Sequence, residues 1–406
     1  MKILCNFGAA GATACSAMND SQIVLVFQGG GALGAYQAGV YQALHEADIE
    51  PDWIIGTSIG AINASLIAGN PRHRRMLALE TFWDRMAQKE AWPAWAMWPM
   101  APSLAYWRTL AAGIAGFFEP NPAAFWGAHI PLGADGAGYY SPLPLRRTLD
   151  GLVDFDLINR GGPRVTVGAA HVRTSRMHYF DSRDMPVDVR HVMASGALPP
   201  AFPAVRIDGE LYWDGGILSN TPTEAIFDDP HRKSSLVFAV HLWNPDGAEP
   251  STIWEVIHRQ KDIQYSSRVA SHVARQQEAH RLRHVIEELA EHIPLPARAS
   301  KEVQRLLDHG CPTRMHVVRL LAPSFVHDDH TKDVDFSPRG IRSRWQSGYD
   351  DTRNAIRQAP WEGAIDILDG VILHEADADG RYGAAGGDPH AGLVANASLG
   401  CLKPAA

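Results

Sequence analysis

Apolar residues arrive along this chain in short bursts cut off by glycine, and the first two bursts are Ile23 to Phe27 and Trp53 to Ile55. Runs rich in β-branched residues and closed by glycine are the pattern of buried parallel strands. Between them, Ala35 to His45 contain no proline and bring Val40, Tyr41 and Leu44 together at helical spacing. A second apolar helix is predicted from Ala61 to Ala68. Strand, helix, strand, helix is a right-handed crossover unit, so the chain reads as α/β with a mostly parallel central sheet. Further along, a helix is predicted over Leu145 to Leu152 and an alternating strand over Arg164 to Ala170, with His171 to Phe180 as a hairpin on the sheet. Val192 to Phe202 reads as a short helix stopped by Pro199 and Pro200. An aromatic strand then ends at Asp214-Gly215-Gly216, and Leu236 to His241 is one more buried strand.

The turns of the first unit carry the chemistry. Gly56-Thr57-Ser58-Ile59-Gly60 is a G-x-S-x-G sequence between an apolar strand and an apolar helix. A sharp turn there pushes the serine hydroxyl out of the sheet, and the helix start behind it aims free amides at any anion formed nearby. One unit earlier stands Gly29-Gly30-Gly31-Ala32-Leu33-Gly34. In a right-handed crossover both turns lie at the same sheet edge, so the glycine loop is placed to offer backbone amides beside Ser58. Gly29, Gly31 and Gly34 also satisfy the dinucleotide pattern G-x-G-x-x-G, but that reading needs an acidic residue at the end of the second strand. Ser58 follows that strand, and Asp52 precedes it.

Taken in order, the glycine loop, Gly56 to Gly60 and Asp214-Gly215-Gly216 resemble the patatin-like phospholipase family over residues 21 to 245. The resemblance implies a three-layer α/β/α fold and a Ser-Asp dyad, with Ser58 as nucleophile and Asp214 as base. It further implies an oxyanion hole built on Gly29, Gly30, Gly31 and Ile59, with Gly34, Gly56, Gly60, Gly215 and Gly216 supporting the turns. Val192 to Phe202 resembles the family's A-S-x-x-x-P stretch, a structural element. Leu33 stands where many members carry Lys or Arg. The implied activity is hydrolysis of carboxylic esters of lipids, without cofactor or metal; the same dyad would serve a thioesterase or a polyhydroxybutyrate depolymerase. Two other readings remain: an α/β-hydrolase triad drawing on His327, His330 or His374, and a lipid-binding protein without catalysis.

Composition narrows these choices. Hydrophobic residues make up 46% and charged residues 20%, which supports a large core. A net charge of −8 argues against nucleic acid as a partner. Cys5, Cys15, Cys311 and Cys401 are scattered, giving neither a disulfide framework nor a zinc pattern and pointing to the cytoplasm. Residues 1 to 20 are expected to be a flexible leader, with a lipoprotein-like cleavage site at Ala12 to Cys15 as the competing reading. Thr81 to Trp126 holds six of the twelve tryptophans in a proline-broken segment. It is expected to be either packed core or a cap whose rings line an acyl pocket and touch a membrane surface peripherally. Residues 246 to 370 are expected to form a helical C-terminal extension, with one or two helices from Ser251 to His292, a strand over Arg314 to Leu321, and a helix capped by Ser337. This stretch resembles an extension of some bacterial patatin-like proteins. The loop His327-Asp328-Asp329-His330 is a weak candidate for metal, and residues 371 to 406 read as a loose tail.

Overall fold

The computed structural model of the chain describes residues 21–88, 109, 111–266, 269–325, 328–364, 366–377 and 379–384. The first strand, β1 (Gln22–Phe27), lies inside a ten-stranded sheet. It is followed by α1 (Ala35–Glu46), β2 (Trp53–Thr57), α2 (Ile59–Ala68) and α3 (Arg75–Met86). Next come α4 (Leu143–Leu152), α5 (Phe155–Arg160), β3 (Arg164–His171), β4 (Arg176–Asp181), α6 (Val189–Ser195), β5 (Val205–Ile207), β6 (Glu210–Asp214) and β7 (Ser235–His241). The C-terminal part supplies α7 (Ile253–Ser266), α8 (Val269–Glu291), β8 (Met315–Leu321), α9 (Pro338–Gln358), β9 (Val371–Ala376) and β10 (Tyr382–Ala384).

The sheet order is β10-β9-β8-β7-β1-β2-β3-β6-β5, with β4 also paired to β3. The strands from β9 to β3 run parallel, and antiparallel strands flank them on both sides. Successive residues of β1 feed two cores, because side chains alternate across a strand. Leu25 and Phe27 join a large cluster with α1, α2 and α3, while Val24 and Val26 join Trp53, Ile55, Ile226 and Phe227 on the other face. This is a mixed α/β fold with a mostly parallel sheet covered by helices on both faces. On the first face α9 lies against α1 through glycines. A Cβ on Gly39 would stand 1.9 Å from the Trp345 carbonyl oxygen, and one on Gly348 would stand 2.1 Å from that of Tyr36. Tyr36 also donates to Asp351 across this contact at 2.7 Å.

Two boundaries differ from the sequence expectation. The strand expected over Arg314 to Leu321 is present as β8, but the extension is less helical than expected, because β9 and β10 follow it and the three prolong the central sheet beyond β7. The stretch expected to be loose from residue 371 begins with β9, whose Val371 and Ile372 are buried and which pairs with β8 from Met315 to Val318. Its alternation is masked in sequence because one buried position is His374, which bonds the buried His316 at 3.0 Å. After Pro250 helix is present up to Ser266 and again from Val269, with residues 267 and 268 outside the described residues. Of the tryptophan-rich segment, Trp92, Trp95, Trp98 and Trp107 lie outside the described residues. Trp83 is core: it is buried, stacks on Phe336 and donates to Asn63 at 3.2 Å. Phe117, Phe118, Tyr140 and Phe202 form an aromatic cluster beside it, with Phe118 and Tyr140 centroids 4.8 Å apart.

Candidate active site

The pairing of β3 brings Ser58 and Asp214 together. β4 occupies one edge of β3 from Thr166 to His171. The other edge is shared by two strands that run toward each other: β2 places Thr57 opposite Gly168, and β6 places Asp214 opposite Ala169. Their ends therefore meet at adjacent positions, and Ser58 is the residue after Thr57. The Ser58 hydroxyl is near enough to the Asp214 carboxyl to act on its protonation.

Ser58 sits at φ 56° and ψ −124°, a backbone conformation that costs an L-residue of order 1–3 kcal/mol and is held only where the surroundings impose it. The surroundings do so. A Cβ on Gly60 would lie 2.4 Å from the Phe27 carbonyl oxygen, so α2 starts directly against β1. The Ser58 amide donates to the Ser195 hydroxyl at 2.9 Å, and that hydroxyl donates to the Gly168 carbonyl at 2.6 Å. Ser195 is fully buried at the end of α6, in the stretch whose sequence suggested a structural role. It ties the turn after β2 to β3 and occupies the amide of Ser58 itself.

Asp214 is 2% exposed. Burial raises its carboxyl from the ordinary 3.8 to about 7, while the nearby Ser58 hydroxyl and the Gly216 amide pull the other way. The Gly216 contact is 2.7 Å. A buried carboxylate poised near neutrality fits a group that exchanges a proton. Late histidines do not share this position. Among the described residues His330 stacks on Trp254 with centroids 4.0 Å apart, and His374 bonds His316. His327 lies outside the described residues. In the same loop Asp328 pairs with Arg344, and no group of three or more metal-ligating side chains occurs among the described residues.

The glycine loop lies beside Ser58, since a Cβ on Gly29 would stand 3.0 Å from that of Ser58. The amides of Gly30, Gly31 and Ile59 have no hydrogen-bond partner among the described residues. Those of Gly29 and Ser58 are taken, by the Asn220 carbonyl at 3.1 Å and by Ser195. Gly215 is buried against the Gly168 carbonyl, and Gly34 packs on Ile59. Leu33 is buried in the core, so it presents no charge to the site. Four residues outside the motifs hold the loop. Gln28 accepts from the Leu242 and Trp243 amides and donates to Thr221 Oγ1 at 2.7 Å and to the Tyr265 carbonyl at 3.0 Å. Asn220 donates to the Gly29 carbonyl at 3.1 Å, as Trp243 Nε1 does at 2.8 Å. The Tyr265 ring packs on Trp243, and burial with the nearby Asp214 charge pushes its phenol up to about 12.

Residues 25–227 match the model of patatin-like phospholipases, and residues 263–366 match a second model described as patatin phospholipase. The chain belongs to the patatin-like phospholipase family. It is 28% identical over 245 residues to lysophospholipase nte1 of Aspergillus terreus, covering 58% of this chain and 13% of the fungal protein. It is 41% identical over 70 residues to a patatin-like phospholipase domain-containing protein of Caenorhabditis elegans, covering 17% of this chain and 6% of that one. The chain thus spans a small part of the length of both relatives. Similar solved structures include VipD from Legionella pneumophila, with a TM-score of 0.35, 17% identity and coverage of 83% of this chain and 67% of that one. The type III effector protein ExoU gives a TM-score of 0.31, 15% identity and coverage of 84% and 54%. The first family match spans β1 to Phe227, the part that holds Gly29 to Gly34, Ser58 and Asp214.

Proposed function

We propose that this patatin-like protein is a serine acyl hydrolase in which Ser58 and Asp214 form the catalytic dyad and carboxylic esters of lipids are the substrates. The observation that carries the reading is the juxtaposition of Ser58 with a buried Asp214, where β2 and β6 end on adjacent positions of β3. Asp214 takes the Ser58 Oγ proton as that oxygen attacks the ester carbonyl. The carbonyl oxygen becomes an oxyanion, held by the amides of Gly30, Gly31 and Ile59, which have no other partner among the described residues. Collapse breaks the bond to the alcohol, which leaves with the proton returned by Asp214. Water then attacks the acyl-enzyme, its proton passing to Asp214, and the acid is released with Ser58 restored.

Family membership favours a lipid ester over a small charged substrate. Peripheral contact with a lipid surface belongs to this reading, and no helix among the described residues is long and apolar enough to cross a membrane. Ser58→Ala is expected to remove at least ~10³-fold of turnover on micellar lipid and on p-nitrophenyl esters while leaving the thermal unfolding curve cooperative. Near-normal turnover by that variant, or loss of activity in His330→Ala or His374→Ala with Asp214→Asn active, would reject the dyad.

A further inference from the structure

At the edge of the sheet opposite Ser58 lies a seam where buried polar groups gather without partners. His280 on α8 is fully buried, and neither ring nitrogen has a hydrogen bond. Its ring faces Phe227 with centroids 6.2 Å apart, and its Cβ lies 2.9 Å from where a Cβ on Gly370, just before β9, would stand. Arg283 follows three residues later and so shares this face of α8. Arg232 enters from the turn leading into β7. The Nη1 of Arg283 and the Nε of Arg232 are buried and unpartnered. Neither guanidinium forms an ion pair or hydrogen bond among the described residues. The three groups are close enough to act on one another. Desolvation and then the Arg232 charge lower the Arg283 pKa, and desolvation followed by the charges of Arg283, Arg232 and His284 brings His280 down to about 4. His284 is already engaged with the Thr313 carbonyl at 2.9 Å. The one carboxylate felt by Arg283 is Asp228, which is exposed and forms no ion pair with it.

Arg232 and Arg283 are half-buried, their like charges act against each other, and each leaves one buried N–H without a partner, a cost that a bound anion would relieve. Arg232 Nε, Arg283 Nη1 and one nitrogen of a neutral His280 offer three donors, which suits the oxygens of a compact tetrahedral anion. We infer that Arg232, Arg283 and His280 form a second binding site, for a phosphoryl group, at the junction of the catalytic part with α8. The group is either free phosphate or the terminal phosphate of a lipid headgroup, and it bridges the turn before β7 to the extension. This assignment is independent of the acyl hydrolase reading.

Inorganic phosphate is the first probe. The melting midpoint of the full chain is measured as chloride is replaced by phosphate from ~0.1 to ~20 mM at fixed ionic strength, and a rise of roughly 2 °C or more is expected. Arg232→Gln and Arg283→Gln should each lose most of that rise and keep esterase turnover. The second probe is a vesicle of phosphatidylcholine with phosphatidic acid, read by sedimentation. Retention that both substitutions abolish assigns the site to a lipid headgroup, whereas a phosphate-dependent rise without such retention assigns it to free phosphate. If either glutamine variant fails to fold, Arg232→Lys and Arg283→Lys replace it, keeping the charge while removing the planar fork. A phosphate response equal in wild type and variants, or no response to either probe, overturns the site.

Discussion

Replacing Asp214 by Asn should make the protein more stable, and more so as pH rises. The carboxyl is buried, and its pKa moves from the ordinary 3.8 to about 7. The folded state therefore holds this proton across a range in which the unfolded chain has released it. Stability from the group is fully present below about pH 4 and falls as pH rises to about 7, above which the loss is complete. At ~1.36 kcal/mol per pH unit, keeping Asp214 ionised in the folded protein costs up to about 4 kcal/mol. An asparagine does not titrate, and its carbonyl oxygen retains the role of acceptor for the Gly216 amide. Urea denaturation of wild type and Asp214→Asn at pH 5 and pH 8.5 measures the difference. The variant's advantage should grow by about 2 kcal/mol or more between the two, while its turnover is lost. An advantage that stays flat with pH, or shrinks, would show that Asp214 is not held against its own ionisation.

The same group predicts that kcat/KM on a soluble ester rises with pH through an apparent pKa near 7; a limb at pH 5 or below would mean that the base is exposed. Ser195→Ala leaves the Ser58 amide and the Gly168 carbonyl unpaired, so a stability loss of about 2 kcal/mol and a kcat loss of ~10-fold or more are expected, against little change in either if the turn holds itself. Gly31→Ala would place a Cβ 2.2 Å from the Asp333 carbonyl at a φ of +55°, and turnover should fall at least ~10-fold, while Gly151→Ala, with nothing within 4 Å, serves as the neutral control. Substituting Trp92, Trp95 and Trp98 together by alanine should reduce sedimentation with neutral vesicles and slow turnover on micellar lipid, and equal binding would remove these rings from the lipid contact.

The parts of the site legible in sequence are those that backbone sterics dictate. Gly60 has no room for a side chain, and Ser58 must turn sharply between a strand and a helix, so the G-x-S-x-G spacing follows from local geometry. The strands β1, β2 and β7 announced themselves because both faces of each are buried and their apolar runs are nearly unbroken, and β3 through its alternation. What sequence could not show is carried by single polar side chains acting across long separations. Gln28 reaches Thr221, 193 residues away, and Ser195 reaches Ser58 across 137. Neither sits in a periodic pattern, and a buried glutamine at a strand end looks like any polar residue that closes a strand. Ser195 carried one signal, the A-S-x-x-x-P resemblance, but not the partner it holds. Membership of β8 and β9 in the main sheet was equally hidden, because periodicity identifies a strand and not its neighbour.

Those long-range bonds bear on where the catalytic unit ends. The glycine loop is fastened from the C-terminal side as much as from its own crossover. Gln28 and Asn220 both donate to the Tyr265 carbonyl at the end of α7, and the Gly31 backbone packs against the Asp333 carbonyl. Lys332 is buried, pairs with Asp262 of α7 at 2.6 Å and places its ammonium 5.1 Å from the Trp243 ring, whose indole in turn holds the Gly29 carbonyl. A net hydrogen bond contributes only ~1 kcal/mol, but a buried polar group left without its partner costs about 1–3 kcal/mol. Removing α7 and the segment around Lys332 would take the Tyr265 carbonyl from Gln28 and Asn220 and unpack the turn at Gly31, a loss of about 1–3 kcal/mol for each polar group left bare. The amides of Gly30 and Gly31 thus owe their placement beside Ser58 to residues more than 200 positions later in the chain. The extension is accordingly a structural part of the site, and the sheet that runs unbroken from β3 through β9 is the physical unit.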